Sequence, residues 1–202
     1  MKLALAVLAC VAVLSIVGPG RAQDGTSAPN AASTRVPHYA LTATLDATAG
    51  TIRGSVAITF ANDGREPLRQ AYLRLYPNRF LHDGDEVNDI TRMHVYPENE
   101  FSPGSITIDS AAASDGIPLL SRTVARDETP AETVLELDLA TPVPPGATTT
   151  VVLGFTTQLP ERFGPLGRTE LADTAVAGWY PYLVTRAADG AWLWTAGPAP
   201  AD

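Results

Sequence analysis

Cysteine and lysine are almost absent: the 202 residues hold one of the former, Cys10, and one of the latter, Lys2. A single cysteine excludes an intramolecular disulfide and a multi-thiolate metal site, so stability has to come from an ordinary apolar core. The missing lysines weigh against nucleic acid, whose phosphates call for clustered Lys and Arg. The arginines are scattered, and 22 acidic residues bring the formal net charge to -8. Histidine is scarce too. None of His38, His82 and His94 opens a His-Glu-x-x-His segment, which excludes the helix that holds zinc between two imidazoles with a glutamate base alongside. A Gly-x-Ser-x-Gly nucleophile elbow and an internal repeat are also missing. What is present suffices for a core, with 45% apolar and only 18% charged residues, unlike the composition of a disordered chain. The length fits one domain and excludes a large two-domain enzyme.

Lys2 precedes an apolar run from Leu3 to Val17 that ends in Gly18-Pro19-Gly20-Arg21-Ala22. The run is shorter than the roughly 20 residues a helix needs to cross a bilayer, and Gly20-x-Ala22 supplies the small residues a signal peptidase selects. The pattern predicts a cleaved signal peptide over 1–22 and an exported protein, periplasmic or extracellular, with no membrane span in the mature chain. Val7-Leu8-Ala9-Cys10 is similar to a lipobox, but Cys10 lies inside the run and does not end it, so secretion without lipidation is the favoured reading. Residues 23–36, rich in Ser, Thr, Ala, Asn, Gly and Pro, read as a flexible leader. Without residues 1–22, which hold Lys2 and Arg21, the net charge is -10 and no cysteine remains.

From His38 the pattern is that of strands. Tyr39, Leu41, Ala43 and Leu45 alternate with polar or small residues, Ala49-Gly50 turns the chain, and Ile52, Gly54, Val56, Ile58 and Phe60 alternate again up to Asn62-Asp63-Gly64. Leu73 and Leu75, Ile106 and Ile108, Leu135 to Leu139, and Val151 to Phe155 repeat the two-residue period, with Pro142, Pro144, Pro145 and Gly146 separating the last two runs. No later stretch of a dozen residues keeps a 3.6-residue period. Short strands with regular turn signals predict an all-β, antiparallel β-sandwich over 37–194.

Four segments taken in order, Pro37-His38-Tyr39-x-Leu41, Gly54-x-Val56-x-Ile58-x-Phe60-x-Asn62, Leu73-x-Leu75-Tyr76-Pro77-Asn78-x-Phe80 and Gly178-Trp179-Tyr180-Pro181, make a pattern that resembles the N-terminal β-sandwich of aminopeptidase N-like zinc metallopeptidases. The resemblance implies a saddle-shaped scaffolding and substrate-rim domain, ahead of a catalytic domain that carries the zinc, the His-Glu-x-x-His helix and a Gly-x-Met-Glu-Asn strand for the amine of a peptide substrate. This chain has neither motif: beyond Met1 its only methionine is Met93, between Arg92 and His94. The expectation is therefore a chain inactive by itself, holding no cofactor, whose residues 195–202 start a linker toward a catalytic domain of the same polypeptide. In the parent enzymes this domain also extends a carboxylate or amide toward the substrate amine. The resemblance would place that role on Glu170 and Asp173, against the alternative of solvated loop acids.

Other chemistry is thin. Asp83-x-Asp85-x-Val87-x-Asp89 has the start of a calcium loop, yet Val87 offers no ligand oxygen, Asn88 stands where the turn glycine belongs and His94 replaces the closing glutamate. A solvated acidic loop is the simpler reading. His82 and His94 lack an identifiable third ligand. Aromatics crowd the C-terminal part, where Trp179, Tyr180, Tyr182, Trp192 and Trp194 stand near Pro181. Three readings are open for this tail: a face that docks the catalytic domain, a sugar-stacking platform on a standalone binding module, or an ordinary core strand pair.

Overall fold

The computed structural model describes residues 36–194 apart from 85, 86, 88, 89, 99, 127, 128, 170, 171, 188 and 189, with the backbone alone for 172, 173 and 175. The segments expected to be a signal peptide with Cys10, a leader up to 35 and a linker over 195–202, and also Glu170, lie outside the described residues.

Ten strands follow in order: β1 His38–Asp46, β2 Thr51–Ala61, β3 Leu68–Arg74, β4 Ser105–Ala113, β5 Ser121–Thr123, β6 Val134–Val143, β7 Thr148–Gln158, β8 Leu166–Thr169, β9 Ala172–Val176 and β10 Tyr182–Leu183. Among the described residues, helix is confined to a 3-10 turn, Tyr76–Phe80, and the four-residue α1, Arg92–Val95. No described helix is long and apolar enough to cross a membrane. One sheet runs β1-β2-β7-β4, a second runs β10-β3-β6-β5, and β8 and β9 form a hairpin of their own. All pairs are antiparallel. The fold is all-β, as the alternation predicts.

Alternation decides which side chains fill the space between the sheets. In the β2–β7 ladder Ile58 stands opposite Val151 and Val56 opposite Leu153. On the other sheet Ala71 faces Leu137 and Leu73 faces Leu135. All eight are buried and form one cluster with Phe60, Leu75 and Phe155. Two expectations need correction. β1 does not bury a whole face: Leu41 is 37% and Leu45 47% exposed, because β1 is the sheet's edge and β10, at the edge of the second sheet, has two residues. Pro142 does not lie between strands but within β6. The β3–β6 register jumps from Gln70 opposite Asp138 to Leu68 opposite Val143, and in that gap a residue without an N–H interrupts no ladder.

The two outer faces differ. That of the β1-β2-β7-β4 sheet is a field of Thr, Ser, Ala and Gly, as in the row Thr42, Ser55, Gly154 and Ser110. On the other sheet Val184 N–H donates to the Tyr72 carbonyl beyond the end of β10, Arg186 bridges to Trp192, and the Trp192 and Trp194 rings lie against Tyr72. Tyr72, Val134 and Val184 make a second small core there.

Candidate functional site

The first aromatic cluster is built around a glycine. Gly178 has φ +63, and a Cβ on it would lie 2.8 Å from the Tyr76 ring, so only glycine allows the chain this close. That approach delivers the Trp179 carbonyl to the Thr157 hydroxyl, which donates to it at 2.8 Å. The Trp179 ring meets Phe155 at 6.0 Å and Tyr180 edge-on at 5.3 Å, and Tyr180 meets Tyr39 at 6.0 Å. The Tyr39 hydroxyl accepts from Leu183 N–H at 3.0 Å. Trp179 also packs with Tyr76 and Phe80 on the core of Ile52, Leu159 and Leu166. Pro181 is buried and Tyr182 half-buried; burial pushes the phenol pKa values of Tyr182 and Tyr39 upward. Beside this cluster lies a cleft of about 320 Å³, lined among others by Arg74, Tyr76, Tyr180, Tyr182 and Leu193. Burial lowers the pKa of Arg74, whose guanidinium donates to the Trp194 carbonyl.

The second cluster lies on the outer face of the β10-β3-β6-β5 sheet and is held by cations. Tyr72 stands edge-on between Trp192 at 5.2 Å and Trp194 at 5.0 Å. The Arg126 guanidinium lies 5.0 Å from both the Tyr72 and the Trp194 rings, and Arg186 is 5.0 Å from Trp192. These are distances at which ring and cation attract. Arg126 and Arg122 both pair with the buried Glu136 carboxylate, and Arg122 also with Asp138. Hydrogen bonds from Gln70 and Arg122 hold the Asp138 pKa below the usual carboxylate value. Next to Trp192 is a shallow pocket of about 340 Å³ whose walls include Arg65, Glu66, Arg69, Gln70 and Tyr72.

The six tail residues named from sequence thus divide into two clusters that meet at Arg74 and Leu193. None of the six is among the exposed large apolar side chains. Asp173 is in β9 with its side chain outside the description. A third cavity, about 500 Å³, is lined by Ala47, Pro97, Glu98, Glu161, Arg168, Thr169 and Thr174. Arg168 donates to Glu161 at 2.6 Å and to the Thr48 carbonyl at 3.2 Å. Its Nε and the Thr169 hydroxyl are buried without a hydrogen-bond partner.

His82 pairs with Glu132 at 3.3 Å, Asp83 is taken by Arg92 at 2.7 Å, and His38 lies at the start of β1. Among the described residues no group of three His, Cys, Asp or Glu could hold a metal ion. Asp85 and Asp89 of the acidic loop lie outside the description.

Sequence reasoning missed Tyr72, Arg126 and Arg186. Tyr72 left a trace: in β3 it falls between the inward Ala71 and Leu73, so an aromatic ring had to point outward and be covered. Arg126 gave no sign, because its partners Tyr72, Glu136 and Trp194 come from three different segments. No protein-family model matches the chain, and no curated protein matches it.

Proposed function

We propose that this chain is the N-terminal scaffolding and substrate-rim domain of an exported aminopeptidase N-like zinc metallopeptidase. Its partner on this reading is a catalytic domain of the same polypeptide, which supplies the zinc, the His-Glu-x-x-His helix and the amine-binding strand. The observation that carries the reading is convergence. The segments that bear the resemblance are far apart in sequence, yet Tyr39, Tyr76, Phe80, Trp179 and Tyr180 meet in one aromatic cluster. The adjoining cleft of about 320 Å³, with Leu193 42% exposed in its wall, is sized for an apolar side chain of the docked domain. The cavity lined by Glu161, Arg168, Thr169 and Thr174 is the rim on this reading. Glu170 and Asp173 are the carboxylates offered to the substrate amine.

The test is release of a chromophore from amino-acid anilides. The chain with added zinc is expected to be inert. Mixed with a catalytic domain of this class lacking its own sandwich, it is expected to restore turnover, and Tyr182→Ser is expected to weaken that restoration. Turnover by this chain alone, co-purifying with it and abolished by a chelator, overturns the reading.

The shallow pocket beside Trp192 favours a second reading, a standalone binding module for carbohydrate or protein. A ring edged by Gln70, Glu66 and three arginines suits a sugar, which stacks its apolar face and hydrogen-bonds its hydroxyls. Titration of soluble oligosaccharides against wild type and Trp192→Ala separates the two: saturable binding lost in the variant, with no restoration of a catalytic domain, decides for the module.

A further inference from the structure

Exposed sheet edges invite pairing, and proteins blunt them with short length, bulges, charge or proline. Three of the four edges of the two four-stranded sheets are blunted. β4 is bulged between Ile108 and Ser110 and carries Asp109. β5 has three residues with Arg122 in the middle, and β10 has two. β1 has none of these devices. It holds an unbroken register with β2 over its nine residues and contains no Pro, Gly, Lys or Arg. Its ionisable groups are confined to His38 and Tyr39 at the start and Asp46 at the end. On its inner side Leu41 and Leu45 stay 37% and 47% exposed.

We infer that β1 is the contact of a homodimer, in which it pairs antiparallel with β1 of a second copy about a twofold axis at Thr42. The occupant follows from the strand's complementarity to itself. A twofold axis normal to the sheet keeps inner face beside inner face, which restricts the register to pairs of equal parity, since side chains alternate. Among these registers, the one centred on Thr42 pairs all nine residues. It sets Tyr39 opposite the partner's Leu45 and Leu41 opposite the partner's Ala43, so every apolar inner residue meets another. It sets Ala40 opposite the partner's Thr44 on the outer side, and His38 opposite the partner's Asp46 at each end. Shifting the axis by one residue either way leaves two residues of each strand unpaired and separates the charged ends. Cross-strand neighbours sit about 4.5–5.5 Å apart, so Leu45, left open by the short β10, is covered by the partner's Tyr39. The product is one continuous eight-stranded sheet.

The test uses the full chain in a Cys10→Ser background. Sedimentation over a concentration series is expected to show a reversible dimer. Thr42 is exposed and on the outer face, so Thr42→Lys keeps the fold, checked by circular dichroism, while placing two ammonium groups at the axis; the dimer is expected to weaken by at least about tenfold. Thr42→Cys is expected to be joined by a short bismaleimide, and Thr44→Cys, which faces the partner's Ala40 and not itself, far less. His38→Asp is expected to weaken association and addition of Asp46→Arg to restore it. A monomer at every concentration overturns the inference. So does a dimer untouched by Thr42→Lys, or cross-linking that is as efficient through Thr44→Cys.

Discussion

The two aromatic clusters come from one short stretch of sequence and are held by different physics. Around Trp179 the rings are packed against aliphatic core and fixed by hydrogen bonds to neutral groups, the Thr157 hydroxyl and the Leu183 amide. Around Trp192 and Trp194 the rings lie on the outer face of a sheet, interleaved with Arg126 and Arg186. Density of tryptophan and tyrosine therefore says little about a tail's role. What separates the two is whether a small residue lets the backbone close onto the core or a guanidinium props the ring from outside.

The largest effect should come from the floor beneath the first cluster. Leu153 is fully buried, and Leu153→Ala is expected to destabilise by about 2 to 5 kcal/mol through the cavity it leaves. Phe60→Ala should match it. Thr59→Ala, which removes one hydroxyl contact with Thr150, should stay near 1 kcal/mol. Urea unfolding ranks the three, and a reversed order breaks the assigned register. Gly178→Ala should follow, at roughly 1 to 3 kcal/mol, since it forces a side chain into a left-handed backbone and against Tyr76. The same technique measures it, and a loss of fluorescence change from Trp179 alone would sharpen the contrast with the second cluster.

Tyr39→Phe leaves the Leu183 amide without its acceptor, a loss of about 1 to 2 kcal/mol. It also carries a pH signature. Burial raises the folded pKa of Tyr39, so its contribution is complete below the ordinary phenol value of 10.0 and is lost as pH rises through the folded value. Alkaline titration of stability should be steeper for wild type than for Tyr39→Phe.

The second cluster should respond to salt and acid instead. Arg126→Gln removes two cation–ring contacts and one of the ion pairs of buried Glu136, and is expected to destabilise by about 1 to 3 kcal/mol, with a salt dependence that Gly178→Ala lacks. The smallest effect belongs to the partly exposed Asp138. Its folded pKa is depressed, so its contribution is present above the ordinary carboxylate value of 3.8 and is lost as pH falls below that. Arg122→Ala should flatten this acid limb, and an unchanged limb would detach Asp138 from the network.

The inward residues of β2, β6 and β7 were legible because two-residue periodicity reports a buried face directly. β5 and β10 were not: with three and two residues they are too short to show a period, and the edge position of β1 depends on which strands fail to cover it. In the site, the aromatic tail was visible but not its division. The deciding partners, Tyr72, Arg126 and Thr157, are brought by folding from elsewhere in the chain. The β8–β9 hairpin is spaced irregularly, its register shifting between Gly167 and Thr169, which hides it from any pattern.

The placing of β2 between β1 and β7 also sets an order of events. The β1–β2 hairpin closes over a four-residue turn, but its other neighbour arrives late: the hydroxyls of Thr59 and Thr150, 2.7 Å apart in space, are separated by 91 positions in the chain. Such distant pairing must overcome the entropy of closing a long loop before it gains any contact, which makes folding slow. The β1-β2-β7-β4 sheet cannot be completed until β7 has emerged, so the hairpin has to wait with both its apolar face and its free edge open to whatever meets it first.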